Sequence, residues 1–274
     1  MFYDTHAHLD YPDFAADLDA LVGRAWEAGI TKIVAIGTDL QSSERSVRLS
    51  ERFDNVFAVV GWHPNDAAAA PSELKPALLE LARHPKVVAI GETGLDYYRL
   101  PGAKEGGHSP EDERLKQKQA LIFRQQLEVA AETGLNCVIH QRAALEDTLE
   151  LLRPFAERVR GQFHCFADDA SAMQRILEMG SLVSFTGIVT FKNGQTIRDT
   201  LAATPLGQFM LETDCPFLAP VPFRGKRCEP AYVREIAKVA AEAKGCTLTE
   251  LSEATCAAAH RFFPKLNAAG NAGK

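Results

Sequence analysis

An α/β chain closed into a (β/α)8 barrel is the fold that three observations predict. Eight apolar runs of strand length recur along the 274 residues, amphipathic segments of helical period separate them, and most histidines fall at the ends of the runs. The runs are FYDTHAH at 2–8, KIVAIG at 32–37, VFAVVGWH at 56–63, VVAIGE at 87–92, NCVIH at 136–140, GQFHCF at 161–166, LVSFTG at 182–187 and FMLETD at 209–214. Between them, 14–28 is expected to be a helix with Leu18, Leu21, Val22 and Trp26 on its buried stripe. A second, at 115–131, is expected to bury Leu121, Ile122, Leu127 and Val129.

Two segments rich in Gly, Pro and charge, 97–110 and 215–230, read as long loops over the active face. No repeat of fixed period interrupts the pattern. Residues 1–266 are therefore expected to form one domain, with NAAGNAGK at 267–274 as a flexible C-terminal tail.

Composition excludes several function classes. A hydrophobic fraction of 46% with 24% charged residues suits a globular enzyme. A formal charge of −6 argues against a protein that coats nucleic acid through a broad basic surface, although bound cations can supply local positive charge. The six cysteines have no CxxC spacing and read as reduced thiols; alternation along the strand is expected to turn Cys165 away from the barrel mouth. No apolar run reaches membrane-span length and no leader pattern precedes Asp4, so the expectation is a cytoplasmic protein, monomeric or weakly oligomeric, with no membrane partner.

The chemistry is concentrated where strands end, the face on which barrels of this kind build active sites. His6 and His8 lie two apart on the first strand and so share a side; an exposed turn is the alternative for that pair taken alone. His63 ends the third run, Glu92 the fourth, His140 the fifth, and Asp214 the eighth; His164 stands near the end of the sixth. Imidazoles and carboxylates gathered at one mouth suit two divalent ions such as Zn, Mn or Mg. His6, His8 and Asp214 would hold one, His140 and His164 the other, and Glu92 would bridge them. Singly, Glu92 or Asp214 could be a helix cap and His164 a satisfied core histidine. Together they would form a costly buried cluster without a cation.

Read in order, DTHAHLD, GWHP at 61–64, IGETGLDYY at 90–98, IHQR at 139–142, HCF at 164–166, ETDCP at 212–216 and RGKRCEP at 224–230 resemble the signature segments of the TatD family of metal-dependent hydrolases. The resemblance spans Asp4 to about Pro264. It implies a TIM barrel related to the amidohydrolases, a divalent-metal centre, and deoxyribonuclease activity on DNA. It also matches His6, His8, Glu92, His140, His164 and Asp214 to the family's ligands. Ala143 and Ala144, Ala167 and Asp168, and Cys228 differ from the usual family residues, beside the matched ligands and not at them.

The expected reaction is hydrolysis of a phosphodiester by a metal-activated water, exonucleolytic on single-stranded ends because a concave mouth does not admit a duplex deeply. Asp214 is the expected general base, with Glu92 and His63 as the other catalytic groups. Arg142 and Arg224 or Arg227 are expected to grip phosphate, a surface ion pair being the alternative for each. Tyr97, Tyr98, Phe217 and Phe223 are rim aromatics available for base stacking. The competing function is hydrolysis of another ester or amide, for instance aminoacyl-tRNA, at the same dinuclear centre.

Overall fold

The computed structural model describes residues 1–104, 107 and 109–266; His108 and the expected tail at 267–274 lie outside the described residues. The elements run β1 (Phe2–Ala7), α1 (Leu18–Glu27), β2 (Ile30–Ile36), α2 (Leu40–Arg52), β3 (Val56–Val60), α3 (Lys75–Ala82), β4 (Val87–Asp96), α4 (Pro101–Lys104) and α5 (Pro110–Thr133). They continue with β5 (Asn136–Arg142), α6 (Leu145–Leu152), β6 (Gly161–Phe163), α7 (Ala170–Glu178), β7 (Leu182–Phe185), α8 (Gln195–Ala203), β8 (Phe209–Leu211), α9 (Val233–Lys244) and α10 (Leu248–Phe262).

Among the described residues, eight strands are all parallel and pair in sequence order. The seam between β1 and β8 is closed by a bridge from Ala7 to Cys215 and by backbone bonds from His8 N to Cys215 O and from Asp214 N to His6 O, both 2.9 Å. Side chains stitch the same seam lower down, where Thr213 N and Oγ1 donate to the buried Asp4 carboxyl at 2.9 and 2.5 Å. Burial pushes that carboxyl up to about 8.

Alternation along the strands separates two apolar layers. Ile33, Ala35, Val56, Ala58, Val60, Ile139 and Phe185 pack outward under the helices. Val34, Ile36, Phe57, Val59, Val138 and Met210 point into the barrel and meet Phe262 and Phe263 at the end of α10. That helix end therefore plugs the barrel floor and leaves the opposite mouth for chemistry. Capping boxes start α5 (Ser109 with Asp112) and α10 (Thr247 with Glu250).

Two helix expectations are corrected. A short 3-10 turn occupies Pro12–Phe14 and α1 begins only at Leu18. Its buried face is Leu21, Val22 and Ala25, while Trp26 is 59% exposed; on α5, Leu121 is likewise 48% exposed. Each is adjacent to a buried position, Trp26 to Ala25 and Leu121 to Ile122, about 100° round the helix, which is enough to leave the core-facing stripe.

Candidate metal centre

The strands end at different depths, and this sets the site. β4 continues past Glu92 to Asp96, so Glu92 is held rigidly inside the mouth and is only 2% exposed. Gly91 makes room for it: its φ is +147°, and a Cβ there would lie 2.6 Å from Val138 O. β6 and β8 stop early, and His164 and Asp214 stand in the turns that follow. Left-handed backbone at Cys165 (φ 47°) and Asp214 (φ 57°), which costs a non-glycine residue on the order of 1 kcal/mol, aims these turns.

The same turn corrects the expectation for Cys165. It does not point away; half-buried, it lines the cleft, with Sγ 3.6 Å from Thr186 Oγ1. Strand alternation ended two residues before it. Cys137 and Cys215 are buried core thiols, and all six cysteines are unbridged.

Around Glu92 the donors fall into two sets, one for each carboxylate oxygen. Oε2 lies 3.4 Å from His6 Nε2 and 3.6 Å from His8 Nε2. Those two nitrogens are 3.3 Å apart, and Asp214 Oδ1 is 3.7 and 3.3 Å from them. On the other side, Oε1 lies 3.1 Å from His63 Nε2, 3.1 Å from His140 Nδ1 and 2.8 Å from His164 Nε2. His140 Nδ1 and His164 Nε2 are 3.3 Å apart. Donors sharing an ion through bonds of ~2.0–2.2 Å stand roughly 3–3.6 Å from one another. Most of these separations fall in that range, with 2.8 Å from Glu92 to His164 and 3.7 Å from His6 to Asp214 at the extremes. His6, His8 and Asp214, then His63, Glu92 and His140, and then His6, His164 and Glu212 each form a group able to hold a metal.

Hydrogen bonding alone does not satisfy this cluster. Glu92 Oε2 is buried without a hydrogen-bond partner although two imidazole nitrogens face it. Asp96 Oδ2 accepts from His140 Nε2 at 3.0 Å, so the neutral His140 ring presents a bare Nδ1 lone pair to Glu92 Oε1. Lone pair against lone pair requires a positive charge, a proton or a metal ion, between them. Burial alone would push the Glu92 carboxyl up, yet the imidazoles of His164, His63 and His6 together hold it well below the usual carboxylate range. Burial would lower His164, but Glu92 and Glu212 raise it well above an ordinary histidine. The donor set fits divalent cations.

His63 plays a different part. Its Nδ1 accepts from Asn65 N at 3.0 Å, so in the neutral ring the proton sits on Nε2 and is donated to Glu92 Oε1. The Asn65 bond also caps the 3-10 turn Pro64–Ala69, so one side chain both stabilises the loop and faces Glu92.

Two carboxylates that sequence reasoning missed stand behind the histidines. Asp96 orients His140, as above, and also takes Arg99 N on Oδ1. Glu212 Oε1 accepts from Cys165 N at 2.6 Å and lies 3.6 Å from His164 Nδ1; its Oε2 takes Gln162 Nε2 and Ser184 Oγ. Both are fully buried. The available signal was acidic residues in GLD and ETD beside strand ends, where an imidazole ring needs a partner for its outer nitrogen.

The cleft over the cluster has a volume of about 590 Å³ and is lined by His8, His63, Glu92, His140, His164 and Asp214, with Arg142 at the rim. A groove of about 550 Å³ beside α2 is comparable in size, but its Arg45 and Arg52 are already paired with Asp10 and Asp19. Size does not single out the cleft; convergent donors do. The structure does not bring Arg224 or Arg227 to it. Arg224 lies over the Phe191 ring and donates to Ala219 O, and Arg227 is held by Asp17 and Asp13 O.

Comparison with known proteins agrees with this geometry. The chain is 39% identical over 264 residues to the Bacillus subtilis uncharacterized metal-dependent hydrolase YabD, covering 96% of this chain and 99% of the relative. It is 35% identical over 240 residues to the 3'-5' ssDNA/RNA exonuclease TatD of Enterobacter lignolyticus, covering 85% and 88%. The crystal structure of the TatD homolog YjjV from Escherichia coli superposes with a TM-score of 0.86 at 26% identity, covering 96% of this chain and 98% of that one. The family model for TatD related DNase matches residues 3–264. With a barrel whose mouth collects this donor set, the chain belongs to the TatD family of metal-dependent hydrolases.

Proposed function

We propose that this hydrolase is a nuclease that removes nucleotides from single-stranded DNA ends, using two divalent cations. The observation that carries the reading is that Glu92 faces one donor set through each of its oxygens, the arrangement of a bridging carboxylate. Charge supports the count: the buried Glu92, Asp96 and Glu212 and the partly open Asp214 are four carboxylates in and behind the cluster, and two divalent ions would supply four positive charges with the imidazoles neutral. His6, His8 and Asp214 would hold one ion, His140 and His164 the other, and Glu92 both. Bound there, divalent cations lower the pKa of water into the neutral range and polarise a phosphoryl oxygen.

The chain's own groups do the rest. Asp214, partly open to the cleft, takes the proton of the attacking water. His63, with its tautomer set by Asn65, offers an Nε2–H at the mouth that steadies Glu92 or a phosphate oxygen. Arg142 at the rim meets phosphate; of Arg142, Arg224 and Arg227, it alone lines the cleft. Exonucleases named among the relatives support the substrate class. Residues 1–266 act as one catalytic domain in this reading, in a cytoplasmic protein that is monomeric or weakly oligomeric. Among the described residues no helix is long and apolar enough to cross a membrane.

The test is metal-loaded protein beside Asp214→Ala, incubated with end-labelled single-stranded DNA, RNA, a small phosphodiester, aminoacyl esters and amides. Stepwise shortening of DNA by the wild type alone is expected. Turnover confined to a carboxylic ester or amide would transfer the centre to the competing chemistry.

A further inference from the structure

The mouth has two unlike walls, and the strand order puts them on opposite sides. β1 and β8 are neighbours across the seam, while β4 and β5 lie diametrically across the eight-membered ring. After β1 and β8 come Tyr11 and Phe217, whose rings meet edge to face at 5.6 Å; Phe217 also meets the His8 ring at 6.3 Å and remains 48% exposed. After β4 and at the end of β5 come Arg99 and Arg142, both lining the cleft. Arg142 lies 3.8 Å above the ring of Tyr98, and the Arg99 side chain is 60% exposed, 3.9 Å from Asp96.

The other rim aromatics are already engaged. The Tyr97 hydroxyl bonds Asp147 at 2.6 Å with Lys116 over its ring, and Phe223 stacks on Tyr232 at 4.1 Å. Tyr98 lies beneath Arg142 and does not line the cleft, whereas Phe217, 48% exposed, lines it beside the His8 and Asp214 donors.

A single-stranded end has the matching asymmetry, a flat apolar base on one side of the reacting phosphate and a charged backbone on the other. We propose that Phe217, backed by Tyr11, stacks the terminal base, and that Arg99 and Arg142 receive the backbone phosphates of the retained strand as it leaves across β4 and β5. The inference rests on the nuclease reading and adds a polarity to it. It requires substrates with an unpaired base, and it selects Arg99, which no motif marked.

The experiment uses metal-loaded full chain and short single-stranded oligonucleotides from which the base of either terminal nucleotide has been removed in turn. KM and kcat are read separately. In the wild type, loss of the base at one end raises KM about tenfold, the effect of a lost base stack. In Phe217→Ala the ratio between intact and abasic substrate collapses toward one, and Phe217→Trp restores it. Binding is read in an Asp214→Asn background by fluorescence anisotropy against salt. There Arg99→Gln and Arg142→Gln each flatten the log–log slope by roughly 0.7. A ratio that persists in Phe217→Ala, or a full slope in both arginine variants, overturns the polarity while leaving nuclease activity standing. A wild type that neither binds nor shortens any oligonucleotide overturns the nuclease reading and this inference together.

Discussion

The two halves of the donor cluster are built on different principles. On the β4 to β6 side, the outer nitrogen of His140 is tied to Asp96 and that of His63, which follows β3, to Asn65 N, while that of His164 lies 3.6 Å from Glu212 Oε1 without a hydrogen bond. On the β1 to β8 side, His6 and His8 both have a buried Nδ1 with no hydrogen-bond partner. Their positions come instead from the strand itself and from the seam, where His6 O and His8 N pair with Asp214 N and Cys215 O. His140 and His63 are pre-oriented by polar partners; His6 and His8 are placed by backbone and completed by whatever charge enters their side. An imidazole whose far nitrogen is held keeps one tautomer and one ring angle, which raises its value as a ligand.

The largest expected effect breaks both halves at once. Glu92→Gln removes the charge shared by the two sets and is expected to cost about 4 kcal/mol of transition-state stabilisation, ~10³-fold in kcat/KM. Equal residual activity in Glu92→Gln and wild type would end the shared-carboxylate account. Asp214→Asn comes next, at ~10²-fold or more in kcat with intact folding by circular dichroism.

Asp96→Asn sharpens the contrast between the halves. It is expected to weaken cation binding on the β4 to β6 side by roughly 10–100-fold while a second binding event, on the other side, persists in calorimetry. Uniform weakening of both events would show that the halves are not independent.

The titration itself has a sign. Partnered by Asp96 and Glu92 against the lowering effect of burial, His140 sits above the ordinary histidine value, and His164 sits further above it. An entering cation must therefore displace protons, and its affinity falls as pH falls. Calorimetry in two buffers of different ionisation enthalpy reads the protons released; none released contradicts the assignment. The smallest pair of effects separates the arginines. Arg142→Gln is expected to raise KM for oligonucleotides about tenfold, and Arg227→Gln, an ion-pair partner of Asp17 outside the cleft, less than threefold.

Periodicity made the barrel legible, because eight buried parallel strands need eight apolar runs and the helices between them need one apolar face. It was less reliable at single positions: Trp26 and Leu121 belong to the right helices but lie just off the buried stripe. In the cluster, His6, His8, Glu92, His140, His164 and Asp214 were readable as strand-end donors, whereas Asp96 and Glu212 were not. A supporting carboxylate has no spacing rule; it is defined only by the ring nitrogen that it meets.

The sequence by itself determined the strand count, the helical ring and the kinds of donor atom at the mouth, since these follow from hydrophobic period and residue chemistry, which are local. Only the tertiary structure decided which donors share an oxygen of Glu92, that Cys165 faces the cleft, and that Arg227 does not reach it. Those outcomes depend on where each strand stops and on left-handed turns at Cys165 and Asp214, and they are fixed by neighbours distant in the chain.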